Sequence, residues 1–217
     1  LPDVGYMRQL SVEGILSLTP TTVIASDDAG PEEVFAQLQA AGVKVVKIKD
    51  DASLAGVQAK IAAVASALGR EAAGEVLQQQ VEQQVQQAQQ RLAPLAGQRA
   101  LLLLGAGNRG LMAAGTGTQA QALLDMLSLE NVIQHPGYKP LNPESALAVA
   151  PEVVIVAQTG PLQADNIRQQ LALAPAVKND RVVVLDAGLL LGFGPRLAQA
   201  LTQLQQALLD GHTLAEQ

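Results

Sequence analysis

Leu10-Ser11-Val12-Glu13-Gly14-Ile15-Leu16-Ser17-Leu18-Thr19-Pro20-Thr21-Thr22-Val23-Ile24 has a counterpart further along the same chain. It is Leu141-Asn142-Pro143-Glu144-Ser145-Ala146-Leu147-Ala148-Val149-Ala150-Pro151-Glu152-Val153-Val154-Ile155. In both copies a capping residue opens a short helix and a glutamate sits in its first turn. Proline then closes the helix, because the residue before proline avoids the α region, and a Val/Ile strand follows. Gly-Tyr precedes each copy, as Gly5-Tyr6 and as Gly137-Tyr138. A repeat of this kind predicts two lobes of similar architecture.

What lies between the copies supports that division. Residues 21–26 and 43–49 read as strands, and residues 31–41 and 53–68 as helices, the second with Leu54, Val57, Ile61, Val64 and Leu68 at helical spacing. Strand, helix, strand, helix is the pattern of a parallel α/β sheet. Residues 70–92 differ. Ala73, Leu77, Val81, Val85, Ala88 and Leu92 form one narrow apolar stripe among glutamines. That predicts one long, half-exposed helix of roughly 34 Å, a spine between lobes or an ordinary surface helix. Beyond Pro94 and Gly97 a second α/β segment follows, with strands at 99–104, 153–157 and 181–185. Helices are expected at 118–129, 143–149, 164–173 and 195–209. The expected organisation is a first lobe over residues 1–69, a spine over 70–93 and a second lobe over 94–217.

Composition sets limits on function. The 217 residues are 48% apolar but only 2% aromatic, so the cores must be built from Leu, Val, Ile and Ala. Twenty acids against 14 bases give a net charge of −6, with the bases scattered, which argues against a nucleic-acid partner. There is no cysteine, hence no disulfide framework and no thiolate metal site. No apolar run approaches the roughly 18 residues of a membrane span. The chain opens at Leu1 in what reads as the middle of a loop, the mark of a longer parent protein.

One motif points elsewhere. Gly105-Ala106-Gly107-Asn108-Arg109-Gly110 follows a strand and has the G-x-G-x-x-G spacing of dinucleotide-binding loops, which would make the chain a nucleotide-dependent oxidoreductase. That fingerprint needs a helix to open at the third glycine. Here Ala113-Ala114-Gly115-Thr116-Gly117 breaks any such helix, and Asp125 falls within a helical pattern rather than at a strand end. The loop reads better as a wall of a cleft. His135 and His212 have no spacing to acids that makes a metal site, and neither G-x-S-x-G nor a thiol nucleophile is present. The chain is not expected to be an enzyme.

Gly5-Tyr6-Met7-Arg8-Gln9-Leu10-Ser11, with Glu13-Gly14-Ile15-Leu16-Ser17-Leu18, closely resembles the haem-binding periplasmic proteins of bacterial ABC haem-uptake systems. Met112-Ala113-Ala114-Gly115, Tyr138-Lys139-Pro140-Leu141 and Leu190-Leu191-Gly192-Phe193-Gly194 resemble that family too, in the same order. The resemblance spans essentially the whole chain. Its tyrosine motif is specific to the haem branch, whereas the rest is shared with relatives that bind ferric siderophores or cobalamin, the alternative cargoes.

The resemblance implies a class III solute-binding protein of helical-backbone type. Two mainly parallel α/β lobes are joined by one spine helix, with the ligand in the cleft. Tyr6 matches the family's axial iron ligand, and a hard phenolate suits ferric iron. A free phenol ionises only near pH 10, so it needs a partner. Arg8 matches the arginine that supports the phenolate. On the residues alone, Tyr6 also reads as a tyrosine capping a sheet edge. Lys139 would pair a propionate or stay solvated, and Tyr138 would stack on the porphyrin or pack. Arg109 would meet a propionate, and Phe193 lies in a motif of the cofactor-binding set.

Glu13 and Glu144 match glutamates that face arginines of the inner-membrane permease dimer; singly, each also suits a helix N-terminus. The implied cargo is one haem per chain, because the loop of Gly105 to Arg109 lacks the histidine that binds a second haem in some relatives. The implied route is from an outer-membrane haem receptor, through the periplasm, to an ABC importer. Relatives begin with further βα units before the tyrosine motif. Their lack here implies an incomplete first lobe or a domain-swapped dimer.

Overall fold

The computed structural model describes residues 2–105, 110–160, 167–169 and 171–209. The chain divides into two compact units, 1–79 and 80–217, and the boundary falls inside the longest helix.

In the first unit, helix α1 (Val12–Leu16) begins where the Ser11 hydroxyl accepts a hydrogen bond from the Gly14 N–H at 3.3 Å. Strand β1 (Thr22–Ser26) pairs in parallel with β2 (Lys44–Ile48), Thr22 opposite Lys44 and Ser26 opposite Ile48. The crossover is α2 (Glu32–Ala40), with Glu32 and Glu33 in its first turn. It ends before Gly42, whose φ of 85° is left-handed. Ile15, Val34, Phe35, Leu38 and Val43 form the core, with Val23, Ala25 and Val45 packed against it. Helix α3 (Leu54–Ala67) starts at Ser53, whose hydroxyl accepts from the Gly56 N–H at 2.9 Å. Among the described strands β1 pairs with β2 alone, and Ile24 on it is 38% exposed.

Helix α4 (Glu71–Leu92) is the long helix expected, but its inner face departs from the stripe. Val81, Val85, Ala88 and Leu92 are buried as expected, whereas Ala73 and Leu77 face outward and Gly74 and Gln78 face in. Gln78 Nε2 donates to the Gln58 carbonyl of α3 at 2.8 Å. The reason is proximity: α3 and α4 cross too closely at Gly74 for any side chain. Leu68 likewise lies outside the α3 stripe, at 59% exposure.

The second unit is a sheet of six strands in the order β6-β4-β3-β7-β8, with β5 also paired to β3. Strands β3 (Arg99–Gly105), β7 (Val153–Gln158) and β8 (Val182–Asp186) run parallel, and their apolar runs are buried as such strands require. Strand β5 (Glu130–Asn131) is also parallel to β3. Strands β4 (Leu111–Ala114) and β6 (Tyr138–Pro140) add an antiparallel edge where the sequence pattern carries no strand signal. Helix α5 (Gln119–Met126) is capped by Thr118, α6 (Pro143–Ala148) carries Glu144, and α7 (Pro175–Lys178) precedes β8. Helices α8 (Ala187–Leu191) and α9 (Leu197–Leu209) complete the unit. Gln89 of α4 donates to the Met126 carbonyl at 2.9 Å. The helix expected at 164–173 and the His212 tail lie wholly or partly outside the described residues. No helix among the described residues is long and apolar enough to cross a membrane.

Candidate functional site

Ligands of parallel α/β sheets bind at the carboxyl ends of the strands, where backbone groups and helix N-termini converge. In the first unit that end is Ser26 and Ile48, and the Tyr6 loop lies against it. Gly5, at φ 94°, turns the chain, and its N–H donates to Asp3 Oδ1 at 2.8 Å. A tight turn follows, with the Gln9 N–H on the Tyr6 carbonyl at 2.8 Å. The loop is laced to the segment after β1: the Gly30 N–H donates to the Met7 carbonyl at 2.9 Å, and the Leu10 N–H to the Gly30 carbonyl at 3.0 Å. Backbone bonds hold the turn, so the Tyr6 side chain is left in solvent at 61% exposure.

Arg8 follows two residues on in the same turn, its Nη2 3.4 Å from Asp28 Oδ2, with both side chains on the surface. Asp27 accepts the Asp50 N–H on Oδ1 at 3.2 Å, and Asp50 pairs with Lys60. An open, largely apolar pocket of about 450 Å³ adjoins the loop, walled by Val4, Met7, Leu18 and Ile24 among others. Chemically the turn offers one exposed phenol with a fixed cation two residues away. Among the described residues no cluster of His, Cys, Asp or Glu is set to hold a metal ion.

The expected residues of the second unit fall in different places. Tyr138 is half-buried on edge strand β6, opposite Ala114. Burial pushes its phenol above the ordinary 10.0, against hydrogen bonds with the Thr118 side chain and the Ala120 backbone that pull it down. The register puts Pro140, not Tyr138, nearer the carboxyl end of β3, since Pro140 faces Met112 and Met112 faces Leu104. Tyr138 is thus tied to the start of α5, which favours packing over stacking. Lys139 is exposed beside it. Phe193, expected among ligand contacts, is 1% exposed and offers no face to a ligand in this conformation. Arg109 lies outside the described residues. Glu13 and Glu144 are both exposed in the first turns of α1 and α6.

Gly110, at φ 77°, leads straight into β4, which folds back antiparallel on β3. A hairpin therefore stands where a dinucleotide loop needs a helix N-terminus. Two residues at the carboxyl edge were missed by sequence reasoning. Thr159 donates from its hydroxyl to the Gly105 carbonyl at 2.9 Å, and Asp186 caps α8 by accepting the Leu189 N–H at 2.8 Å. Their signal is a polar residue at, or just past, the end of an apolar strand run.

Comparison with known proteins decides the family. The sequence profile of the periplasmic binding proteins matches residues 1–189. The chain belongs to the periplasmic binding protein family. As a member it is a periplasmic solute-binding protein, built as a mixed α/β chain with mostly parallel strands and a long helix.

It is similar to the periplasmic haem-binding protein RhuT from Roseiflexus sp. RS-1, at 38% identity and a TM-score of 0.83, over 97% of this chain and 83% of that one. It is also similar to the periplasmic haem-binding protein BhuT in complex with two haems, at 36% identity and a TM-score of 0.78, over 96% and 83%. A third relative is YvrC of Bacillus subtilis (strain 168), described as an uncharacterized ABC transporter substrate-binding lipoprotein. It is 21% identical over 94% of this chain and 67% of its own length.

Proposed function

We propose that this protein captures haem in the periplasm, with Tyr6 as an axial iron ligand, and hands it to an ABC importer in the inner membrane. One observation carries the reading. Tyr6 stands exposed on a backbone-laced turn at the carboxyl end of the first unit's strands, with Arg8 in the same turn. The haem-binding neighbours at 36% and 38% identity support haem over other cargoes. Tyr6 supplies the oxygen ligand to the iron, and the Arg8 guanidinium is the hydrogen-bond donor assigned to that oxygen. Lys139 and Arg109 are the cations assigned to the propionates, and Glu13 and Glu144 the contacts for the permease. The stoichiometry proposed is one haem per chain, because the loop of Gly105 to Arg109 carries no histidine for a second.

Titration of the protein with hemin tests the assignment, read in the Soret region beside Tyr6→Phe. The wild-type band should be that of a phenolate-ligated ferric haem, and the variant should lose that band or bind at least about tenfold more weakly. An identical band in the variant overturns the tyrosine assignment.

A further inference from the structure

We propose that Asp28 is a positioning residue for Arg8, holding the guanidinium at the Tyr6 turn before a ligand arrives. The proposal rests on the reading of Tyr6 as the iron ligand. Asp28 follows β1 and the Tyr6 turn precedes α1, so nothing local in sequence joins them. What joins them is the pair of backbone bonds between Met7, Leu10 and Gly30, which lays one loop on the other. Asp28 is itself steadied where its N–H donates to Ser26 Oγ at 3.3 Å. Its neighbour Asp27 is turned away to accept the Asp50 N–H. Of the two adjacent acids, one is thus spent on the β1–β2 connection and the other faces Arg8 at 3.4 Å.

The consequence is pre-organisation. A free arginine on a surface turn samples many rotamers, and freezing it on binding costs conformational entropy. A carboxylate that already limits those rotamers reduces that cost, and it leaves the remaining guanidinium donors for the phenolate oxygen. An exposed pair is weak, so the effect expected is a tuning of affinity and not its origin.

Two measurements on the whole chain decide it. In the ligand-free protein, Asp28→Asn should speed solvent exchange of the Arg8 Nη2–H protons, the group that meets Asp28, read by side-chain nitrogen NMR, while Asp28→Glu should restore protection. With hemin, Asp28→Asn should weaken binding about 2- to 5-fold. Asp28→Glu should recover at least half the wild-type affinity. In an Arg8→Ala background Asp28→Asn should change nothing further. Unaltered Arg8 exchange in Asp28→Asn overturns the proposal, as does an equal loss of affinity with and without Arg8. If hemin binds with no dependence on Tyr6, the tyrosine assignment falls, and the exchange measurement still decides whether Asp28 holds Arg8.

Discussion

Ala65 of α3 and Gly74 of α4 meet so closely that a Cβ added at Gly74 would lie 2.5 Å from the Ala65 Cβ. A mid-helix glycine ordinarily costs about 1 kcal/mol against alanine. Here the substitution recovers that term and forces an overlap in a packed crossing, at about 1–3 kcal/mol. Gly74→Ala should therefore lower stability by up to about 2 kcal/mol, despite its better helix propensity. Chemical denaturation of the two proteins checks this. A raised midpoint in the variant would mean that the helices simply slide apart.

The same crossing explains what the sequence left hidden. Ser11, Ser53 and Thr118 were legible as helix starts because a cap is a local hydrogen bond, and each is made as read. The inner face of α4 was not legible in its first turns. Apolar spacing points to Ala73 and Leu77, whereas the helix turns its smallest residue and a glutamine inward. Strand β4 was hidden for a related reason: Leu111–Ala114 is short and runs into glycines, and its extended state comes from β3 and β6 on either side. The Tyr6 motif was readable through its resemblance to a family. Asp28 was not, because its partner is brought to it by the lacing at Gly30.

With two tyrosines in the chain, Tyr6→Phe leaves Tyr138 as the sole phenol. Burial is the main influence on it and favours the neutral form, partly offset by its bonds to Thr118 and Ala120. Ultraviolet titration of that variant should therefore show one ionisation with a midpoint above 10.0. The sign for stability follows. Between the unfolded value and the higher folded one, the unfolded chain has lost the proton and the native state keeps it. Stability then falls as pH rises through that window and is unaffected below it. A midpoint at or below 10.0 would place the phenol in solvent.

An unpaired strand edge with exposed apolar side chains is a template for pairing with another chain. On β1, Ile24 is 38% exposed, near Leu18 at 43% and Val4 at 36%. With β1 paired to β2 alone among the described residues, any self-association of this chain is expected to run through that edge. Ile24→Lys, which places a charge there, should weaken association about tenfold or more. Sedimentation velocity over a concentration series reads the change. Equal association by both proteins would move the contact away from β1.

Glu13 and Glu144 occupy matching places in the two copies of the internal repeat, each exposed in the first turn of a short helix. As dipole partners alone, each would be worth about 0.3–1 kcal/mol of stability and nothing more. As docking points for a two-fold permease they would do a separate job, so charge reversal separates the two roles. Glu13→Lys or Glu144→Lys should leave hemin affinity unchanged and cost at most about 1 kcal/mol of stability. Each should slow delivery to the reconstituted importer about tenfold, through lost electrostatic steering, and the double reversal should abolish stimulation of its ATPase. Adding salt should shrink the difference between wild type and the single variants, because steering is screened over about 10 Å at 0.1 M. Full stimulation by the double variant would return both glutamates to the role of helix-terminal acids.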